Sequence, residues 1–513
     1  MSVLRTLVGI TMLVPVCVAA PAVVATITQR VHPVLIRNDH NELLELNVTV
    51  KGPGAASLQG VTCTLDSGGV QNVELLQLLS TGEKRVFAPG AEFGAAVSAA
   101  AKFTFLGNQP LREGSNLFWL SARLKADASL SGRVRATCSL VKTSAGNLTP
   151  EGSGTALSRR IGVALRKHGD DGVHTYRIPS LTKSANGTLL SVYDMRRRMS
   201  RDLQEDIDIG LSRSTDGGKT WQSPRVIMDM GEYGGLPQEQ NGCSDPGIIV
   251  DPKTGEIFVF AVWMNGKPGK HQWRDDGSEP GFEIGKSAQI MMVRSSDDGL
   301  TWTKPENLTR TLKKPEWWLI APAPQAGVAL PDGTLVMPME GRDEKGVGFA
   351  TIMSSKDHGK SWTVGAPAFF GGNECQAARL SDGSIMLNIR NRKGFRAVFV
   401  TKDLGRTWRP HETNNNTLLD PGCNGSLYRV EGRPLLLFAN PHNETVRSHH
   451  TIQVSHDDGR TWPERLRLLL DEGKGRGYPS MVQVDAEHLG IVYEGSRADL
   501  TFEKISLSEL LER

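Results

Sequence analysis

Nine arginine, acidic and tyrosine residues of this chain stand at the ends of short apolar segments or in the loops that follow them. They are Arg177, Arg196, Asp202, Asp245, Glu374, Arg390, Arg447, Tyr478 and Glu494. Guanidinium groups bind a planar carboxylate through two parallel hydrogen bonds, and an acid beside a hydroxyl group can take its proton. If these side chains face one cavity, they predict a site for a ligand that carries a fixed carboxylate.

Six predicted β-hairpins must bring these residues together. Their strands turn at Asn186-Gly187, Thr254-Gly255, Asp332-Gly333, Asp382-Gly383, Glu431-Gly432 and around Glu487-His488. In an antiparallel hairpin, the start of the first strand and the end of the second lie at the same edge, away from the turn. The nine residues flank these hairpins or lie in the loops that follow them, so we expect all nine at one edge, facing a central funnel.

A second repeat marks the opposite ends of the strands. The segment Ser214–Trp221 recurs as Ser295–Trp302, Ser355–Trp362, Thr401–Trp408 and Ser455–Trp462, always with Asp third, Gly fifth, Thr or Ser seventh and Trp eighth. In such a turn the Asp and hydroxyl oxygens accept backbone N–H bonds, Gly supplies a positive φ, and Trp packs between neighbouring units. The aspartates of these turns are therefore predicted to be structural.

The two repeats predict an all-β protein. Six hairpins in residues 156–513 leave roughly 60 residues for each, enough for a four-stranded blade with loops, which predicts a six-bladed β-propeller. Residues 26–155 lack the repeats and alternate in hydrophobicity, as in Leu44–Val50, which predicts a small β-sandwich domain. This domain would act either as a folding partner or as a glycan-binding module. Asn147–Ser158 is the predicted linker, and the last residues from Ile505 predict a terminal helix.

The first 25 residues are typical of an export signal. Arg5 precedes the apolar run Leu7–Val18, and small residues follow it. A membrane anchor is the alternative, but the apolar core is short for one. We therefore predict export to the periplasm, the cell surface or the medium, without stable membrane insertion.

Charge and cysteine content exclude several classes of function. A net charge of +3 lacks the basic excess of nucleic-acid-binding proteins. The six cysteines are few for 513 residues, and no Cys/His spacing is typical of a zinc site. We therefore expect no metal and no cofactor. Cys63 and Cys138 either form one disulfide bridge or remain two buried thiols.

Five short motifs, together with the five repeated turns, resemble bacterial exo-sialidases. The motifs are His174-Thr-Tyr-Arg177-Ile-Pro179, Tyr193-Asp-Met-Arg196 with Asp202 six residues later, Asn373-Glu374-Cys-Gln376, Gly477-Tyr478-Pro-Ser480 and Tyr493-Glu494-Gly495. The resemblance extends from about residue 160 to the end, and the preceding domain is similar to the β-sandwich module often found before sialidase propellers. It implies a retaining hydrolase that removes terminal sialic acid from sialylated glycans.

The resemblance also implies a role for each residue of the set. Arg177, Arg390 and Arg447 would bind the carboxylate, Glu494 would orient Arg177, and Arg196 and Asp245 would contact hydroxyl or N-acyl groups. Asp202 would be the general acid/base, Tyr478 the nucleophile and Glu374 its base. Pro479 departs from the small polar residue that many relatives carry after the tyrosine.

Two other functions remain open from the sequence. A non-catalytic glycan-binding propeller would use the same arginines, but it would not need Asp202, Glu374 and Tyr478. Transfer of the sugar to another glycan, or release of an anhydro product, would use the whole set. Transfer would also need an aromatic platform for the acceptor, which Trp317-Trp318 would supply, although paired tryptophans more often belong to a core.

Overall fold

The computed structural model describes residues 21–52, 54–265 and 278–511. Strands make up 49% and helices 5% of the protein, which confirms the all-β prediction. The chain divides into two compact units. The first contains Asp39–Arg123, Arg135–Leu157 and the described residues up to Gln29; the second contains Ser158–Arg513 together with Arg30–Asn38 and Leu124–Val134. Two short segments that precede residue 156 in the chain therefore belong to the C-terminal unit.

The N-terminal unit contains two antiparallel sheets. The order in the first is Ala22–Thr28, Asn41–Lys51, Gly114–Leu124, Val73–Gly82 and Ala91–Glu92, with Val97–Ser98 also pairing with Val73–Gly82; the order in the second is Gly146–Leu148, Ala136–Thr143, Ala56–Leu65 and Lys102–Leu111. Leu44, Leu46, Val48 and Val50 are buried, as the alternation predicted, but Glu45 between the first two is buried as well. A short helix, Ser67–Asn72, begins where the Asp66 carboxylate accepts a bond from Gly69 N at 2.8 Å.

The predicted export signal, residues 1–25, overlaps the N-terminal unit only in its last residues. Residues 1–20 lie outside the described part of the chain, so most of the predicted segment 1–25 cannot be compared with the fold. Its last residues belong to the strand Ala22–Thr28, which pairs along its whole length with Asn41–Lys51. A folded domain thus begins by residue 22.

The cysteines of the described residues are free thiols, all of them buried. Cys63 and Cys138 are direct partners across the neighbouring strands Ala56–Leu65 and Ala136–Thr143. Of the two alternatives left by the sequence, the structure has two buried thiols.

Among the described residues of the C-terminal unit, six sheets follow one another along the chain, and we number them sheets 1 to 6. Sheet 1 contains Thr175–Lys183, Leu189–Arg196, Ile207–Ser214 and Arg225–Met228. Sheet 2 contains Cys243–Val250, Ile257–Trp263, Gln289–Ser295 and Glu306–Asn307, and the strand Gln325–Ala326 pairs in parallel with the first of these. Sheet 3 contains Leu319–Pro322, Val328–Ala329, Leu335–Arg342, Gly348–Ser355, Thr363–Val364 and Phe369–Phe370. Sheet 4 contains Cys375–Arg379, Ile385–Ile389, Ala397–Thr401 and Arg409–Pro410; sheet 5 contains Ser426–Arg429, Leu436–Pro441, His450–Ser455 and Leu468–Asp471.

Sheet 6 joins the two ends of this unit. It contains Pro479–Asp485, His488–Tyr493, Leu500–Ser506, Arg159–Arg166, Arg133–Val134 and Val34–Ile36. Each sheet contacts the next, and the first strand of sheet 6 contacts the first strand of sheet 1. Outside these sheets lie the pair Gly394–Phe395 with Leu419–Asp420, the helices Thr309–Leu312 and Leu507–Leu511, and the 3₁₀ turns Asp170–Gly172, Gln238–Gln240 and Glu464–Leu466. The terminal helix is thus shorter than the predicted segment.

The five repeated turns share the hydrogen bonds that their aspartates accept, whereas the indole bond differs in one copy, where Trp408 donates to Ala366 O at 2.9 Å. In the second copy, Asp297 accepts bonds from Ser295 Oγ at 2.8 Å, Thr301 N at 2.8 Å and Thr301 Oγ1 at 2.5 Å. The indole of Trp302 donates to Gly299 O at 3.1 Å. Equivalent bonds to Asp216, Asp357, Asp403 and Asp457 recur in the other four copies. Each carboxylate accepts its hydrogen bonds from residues of its own turn, so its role is structural, as predicted.

Candidate active site

Arg177 and Glu494 form the central ion pair of the site. Arg177 donates to Glu494 through Nε at 2.8 Å and Nη2 at 3.2 Å, and both side chains are buried. Glu494 also accepts the backbone N–H groups of Ile178 at 2.7 Å and Tyr478 at 3.2 Å. The pairing of Thr175–Lys183 with Leu189–Arg196 shifts register after Arg177, and Ile178 adopts a φ of 56°. This bulge turns the Ile178 N–H towards the carboxylate.

Burial and charge act in opposite directions on Glu494. Burial alone would raise the pKa of its carboxyl group, but the charge and hydrogen bonds of Arg177 and the two backbone donors hold the pKa below its ordinary value. Glu494 is therefore ionised, and it fixes the direction in which the free edge of the Arg177 guanidinium points.

Tyr478, Glu374 and Arg390 form a second cluster beside this ion pair. The Tyr478 hydroxyl donates to Glu374 Oε1, while Arg390 Nη1 donates to Tyr478 Oη at 2.8 Å and to Glu374 Oε2. Glu374 lies just before the strand Cys375–Arg379 and Arg390 just after Ile385–Ile389, and Arg390 N donates to Glu374 O at 2.8 Å across the hairpin edge. The hairpin rule therefore explains why these two residues meet.

The hydroxyl of Tyr478 is held in its protonated form. Burial raises the pKa of Tyr478 well above its usual value; Arg390 and Arg447 oppose this shift and Glu374 adds to it. A phenol in this setting attacks only when a base takes its proton. Glu374 Oε1 is placed to do so.

Arg447 completes a group of three guanidiniums around the tyrosine. It lies in the loop between Leu436–Pro441 and His450–Ser455, where the carbonyls of Arg476 and Gly422 accept its Nη1 at 3.0 Å and Nη2 at 2.9 Å. Its Cζ lies 5.7 Å from the centre of the Tyr478 ring, and Arg177 Cζ lies 5.3 Å from the same point. Together with Arg390, the three predicted arginines meet at one phenol.

Asp202 and Arg196 form a third cluster next to Arg177. The Arg196 guanidinium is buried and donates through Nη1 to Asp202 Oδ1 at 2.5 Å and to Ser200 O at 2.8 Å. Arg177 Nη1 is 3.8 Å from the same Asp202 oxygen, and 38% of the Asp202 side chain is exposed. Asp202 is thus within reach of solvent and of a bound ligand.

Asp245 enters the site from sheet 2. It is buried, has a φ of 59° and lies in a bulge between Ser244 and Gly247. Burial, followed by the negative charges of Asp194 and Glu374, raises its pKa well above the ordinary value. A neutral carboxyl group of this kind can both donate and accept a hydrogen bond.

Sequence reasoning missed two buried acids of the site. Asp194 accepts Arg196 Nη2 at 2.9 Å, Ser244 Oγ at 2.8 Å and Asp245 N at 3.1 Å. It lies two residues before Arg196 on one strand, hence on the same face, a spacing that the sequence already displays. Glu340 lies near the end of the strand Leu335–Arg342, the second strand of the third hairpin, at the edge away from the turn where site residues are expected. Burial, followed by the charge of Glu374, raises its pKa to about 8.

Two other features of the unit lie apart from this cluster. A cavity of about 760 Å³ opens near the hairpin turns, and it is lined by residues such as Lys183, Arg379 and Arg433 and by none of the nine predicted residues.

Trp317 is buried, and its ring centre lies 4.9 Å from that of Phe349, so it belongs to the core. The ring of Trp318 lies against Gly346, and the two tryptophans do not form a shared open platform.

Within the described residues, no group of three or more His, Cys, Asp or Glu side chains is arranged to hold a metal ion. In the same part of the chain, no helix is long and apolar enough to cross a membrane.

The family profiles and the known proteins that are similar to this chain all point to one family. The family profile of the BNR repeat-like domain matches residues 187–492, and that of the N-terminal domain of BNR-repeat neuraminidase matches residues 22–147. A sialidase of Bacteroides fragilis is 38% identical over 94% of this chain and 94% of its own length. A sialidase of Micromonospora viridifaciens is 32% identical over 64% of this chain and 51% of its own length.

Solved structures agree with these matches. A Hadza microbial sialidase superposes with a TM-score of 0.87 at 36% identity, over 94% of this chain and 99% of that one. A Trypanosoma rangeli sialidase, solved with 2,3-difluorosialic acid as a covalent intermediate, gives a TM-score of 0.55 at 20% identity over 71% of this chain and 56% of that one, a likeness of fold alone. With a relative 38% identical along nearly its whole length and a profile over more than half of it, the chain belongs to the BNR-repeat neuraminidase family, the sialidases.

Proposed function

We propose that this chain is an exo-α-sialidase that removes terminal α-linked sialic acid from glycoproteins, glycolipids and oligosaccharides with retention, through a tyrosyl-enzyme intermediate. The observation that carries this proposal is the environment of Tyr478. Its hydroxyl donates to Glu374 and accepts from Arg390, and its ring lies against Arg177 and Arg447. Three guanidiniums beside a phenol fit a sugar whose anomeric carbon bears a carboxylate.

The charge of that carboxylate explains why the nucleophile is a tyrosine. Most retaining glycosidases attack with a carboxylate, and sialidases are a known exception. An attacking carboxylate would meet the like charge of the sugar, whereas a phenol approaches as a neutral group. Its ordinary pKa of about 10 makes it a weak nucleophile, and burial weakens it further. Proton transfer to Glu374 removes this disadvantage and contributes about 10²–10⁴-fold to the rate.

The reaction proceeds in two displacements. In the first, Tyr478 Oη bonds to the anomeric carbon, the bond to the leaving oxygen breaks, the phenolic proton passes to Glu374, and Asp202 protonates the leaving group. In the second, Asp202 takes a proton from water, the water oxygen bonds to the same carbon, and Tyr478 leaves with the proton held by Glu374. The arginines balance the sugar carboxylate as positive charge develops on the ring.

The arrangement of sheets supports a finer description of the fold. Six consecutive sheets, each contacting the next and the last contacting the first, support a six-bladed β-propeller with the repeated turns as its Asp boxes. The two sheets of the N-terminal unit support a β-sandwich, whose role is either that of a folding partner or that of a glycan-binding module.

The sequence of residues 1–25 supports export, so the substrates would be sialylated glycans outside the cytoplasm.

Variants of Tyr478 test the proposed chemistry. We expect Tyr478→Phe to lower kcat on an aryl sialoside by at least about 10³-fold, while the affinity for a sialic acid analogue stays within about threefold, since the arginines remain. Tyr493→Phe is the matched control, because Tyr493 is also buried and bonds through its hydroxyl to Glu503 at 2.8 Å; it should keep wild-type kcat. Wild-type turnover by Tyr478→Phe would remove Tyr478 from the mechanism.

Trapping and product analysis test the intermediate and its fate. Incubation with 2,3-difluorosialic acid should add one sugar to the wild-type protein, and peptide mapping by mass spectrometry should place it on Tyr478. NMR of the products, with and without added lactose, should show free sialic acid released first as the α-anomer. A sialylated lactose or an anhydro sugar would instead identify a transferase or an anhydro-forming enzyme, and binding without any release would identify a lectin.

A further inference from the structure

A continuous chain of polar contacts joins Asp245 to the exposed acid Asp202. Asp245 N donates to Asp194 Oδ1 at 3.1 Å, and Ser244 Oγ donates to Asp194 Oδ2 at 2.8 Å. The same Asp194 oxygen accepts Arg196 Nε at 3.2 Å and Nη2 at 2.9 Å. Arg196 in turn donates through Nη1 to Asp202 at 2.5 Å. One guanidinium therefore lies between two carboxylates.

The two carboxylates differ in their surroundings. Asp194 has no exposed surface, whereas 38% of the Asp202 side chain is exposed. An ionised group without access to water is stable only with its hydrogen-bond partners in place. Asp194 is thus fixed by four donors, while Asp202 can exchange its contact with Arg196 for one with a bound substrate.

We propose that Asp194 is a positioning residue that controls proton transfer by Asp202, because it shares the positive charge of Arg196 with that acid. The proposal rests on the function proposed above and concerns the same site. Asp194 touches no reacting atom and acts only through Arg196.

Electrostatics gives the direction of the effect. An opposite charge within about 4–6 Å favours the charged form of a carboxyl group. The negative charge of Asp194 partly cancels the positive potential that Arg196 produces at Asp202. Asp202 therefore keeps its proton up to a higher pH. Without the charge of Asp194, Arg196 would act on Asp202 alone and favour its deprotonated form. The leaving group would then depart without its proton.

Other charged groups face this pair from the neighbouring elements. They are Arg177 at 3.8 Å from Asp202 on sheet 1, Asp245 on sheet 2, Glu374 beside sheet 4, and Arg476 before sheet 6. All of them are retained in an Asp194 variant. The direct perturbation at Asp202 is therefore the change in charge at Asp194, while Asp245, whose pKa the charge of Asp194 helps to raise, is released from that effect.

The test compares substrates that differ in their need for the acid. In the first displacement, the Asp202 proton goes to the leaving oxygen as its bond to the anomeric carbon breaks. A lactose leaving group needs this proton, whereas an acidic phenol leaves without it. We expect Asp194→Asn to lower kcat/KM on 3′-sialyllactose by roughly 10²-fold, and on a 4-methylumbelliferyl sialoside by less than about tenfold.

The pH profile supplies a readout that a purely structural role would not move. We expect the alkaline limb of kcat/KM on 3′-sialyllactose to move to lower pH by about one unit in Asp194→Asn. Asp194→Glu, which keeps the charge, should restore the limb even where the absolute rate stays low. Asp251→Asn is the control: Asp251 is buried in a hairpin turn of sheet 2, where it accepts Lys253 N and Thr254 Oγ1 at 2.9 Å, and its variant should keep the wild-type profile.

The outcomes separate this inference from the proposed function. If the wild type cleaves neither substrate, the proposed function is wrong. If the wild type is active but Asp194→Asn lowers kcat/KM by the same factor on both substrates and leaves the alkaline limb of the pH profile unmoved, Asp194 has no role in proton transfer. If Asp194→Asn does not fold, Ser244→Ala decides: it removes a donor that favours the ionised form of Asp194, so part of the negative charge beside Arg196 is lost and the limb should move to lower pH by a few tenths of a unit. An unmoved limb or a shift to higher pH there overturns the inference.

Discussion

Replacing Glu494 by glutamine perturbs the site at the point where three segments meet. The carboxylate accepts two bonds from Arg177, one from Ile178 N and one from Tyr478 N. Each oxygen serves two donors. An amide has one oxygen and one NH₂ group, so whichever way it turns, two donors face another donor.

The structure sets the size of the expected loss. A hydrogen bond to a charged group contributes about 1.5–3 kcal/mol, and two are replaced by repulsive contacts, so the free energy of unfolding should fall by about 3–6 kcal/mol. For a chain of 513 residues, whose unfolding entropy is about 1.1 kcal/mol/K, that corresponds to a drop in Tm of roughly 3–6 °C. Arg177 and Tyr478 also lose their common anchor, and a shift of about 1 Å in such groups lowers kcat/KM by about 10²-fold.

The pH dependence of stability provides an independent check. The folded-state pKa of Glu494 lies below its unfolded value of 4.5, so its contribution is present above pH 4.5 and is lost as the pH falls through the folded-state pKa. The difference in Tm between wild type and Glu494→Gln should therefore be full at neutral pH and shrink below pH 4.5. Differential scanning calorimetry over that range measures it.

Glu503→Gln is the matched control. Glu503 is also fully buried in sheet 6, where it accepts Arg160 Nε at 2.6 Å and Tyr493 Oη at 2.8 Å. Its loss should lower Tm but leave kcat/KM within about threefold. The reasoning is refuted if Glu494→Gln keeps both the Tm and the kcat/KM of the wild type, or if Glu503→Gln loses as much activity.

Three further predictions concern other parts of the unit. Arg177→Lys should lower kcat/KM on an aryl sialoside by roughly 10²-fold, because an ammonium group lacks the planar fork that binds a carboxylate; an unchanged value would contradict the role of Arg177 in carboxylate binding. Burial holds the pKa of Glu340 at about 8, so its contribution to stability is full below pH 4.5 and is lost as the pH rises to about 8. Glu340→Gln should therefore gain Tm relative to the wild type at pH 8 but not at pH 4, and equal shifts at both would contradict a protonated Glu340. Asp457→Ala removes bonds from Ser455 Oγ at 2.7 Å and from Thr461 N at 2.9 Å; Tm should drop by about 2–4 °C with kcat/KM unchanged, and lost activity would contradict a structural role.

Local patterns were sufficient for the residues that flank hairpins. Glu374 and Arg390 face each other because their strands pair in register, and the positions of turn residues between apolar runs already determine that register. The same holds for Tyr478 and Glu494, whose backbones bond across the edge of the sixth hairpin at 3.0 Å. The repeated Asp turns were readable for the same reason, since every bond within them joins residues at most four positions apart.

Contacts between distant segments were beyond local patterns. Arg177 and Glu494 are 317 positions apart, and their meeting depends on how sheet 6 adjoins sheet 1 and on the bulge at Ile178, a non-glycine residue with a positive φ. The protonated state of Glu340 and the sharing of Arg196 between Asp194 and Asp202 likewise follow from burial and from charges on other sheets. The sequence alone thus determined the strands, the turns and the side chains at their ends, because these depend on neighbours along the chain. Only the tertiary structure decided which charges share one low-dielectric space, because a pKa and an ion pair depend on distance in space.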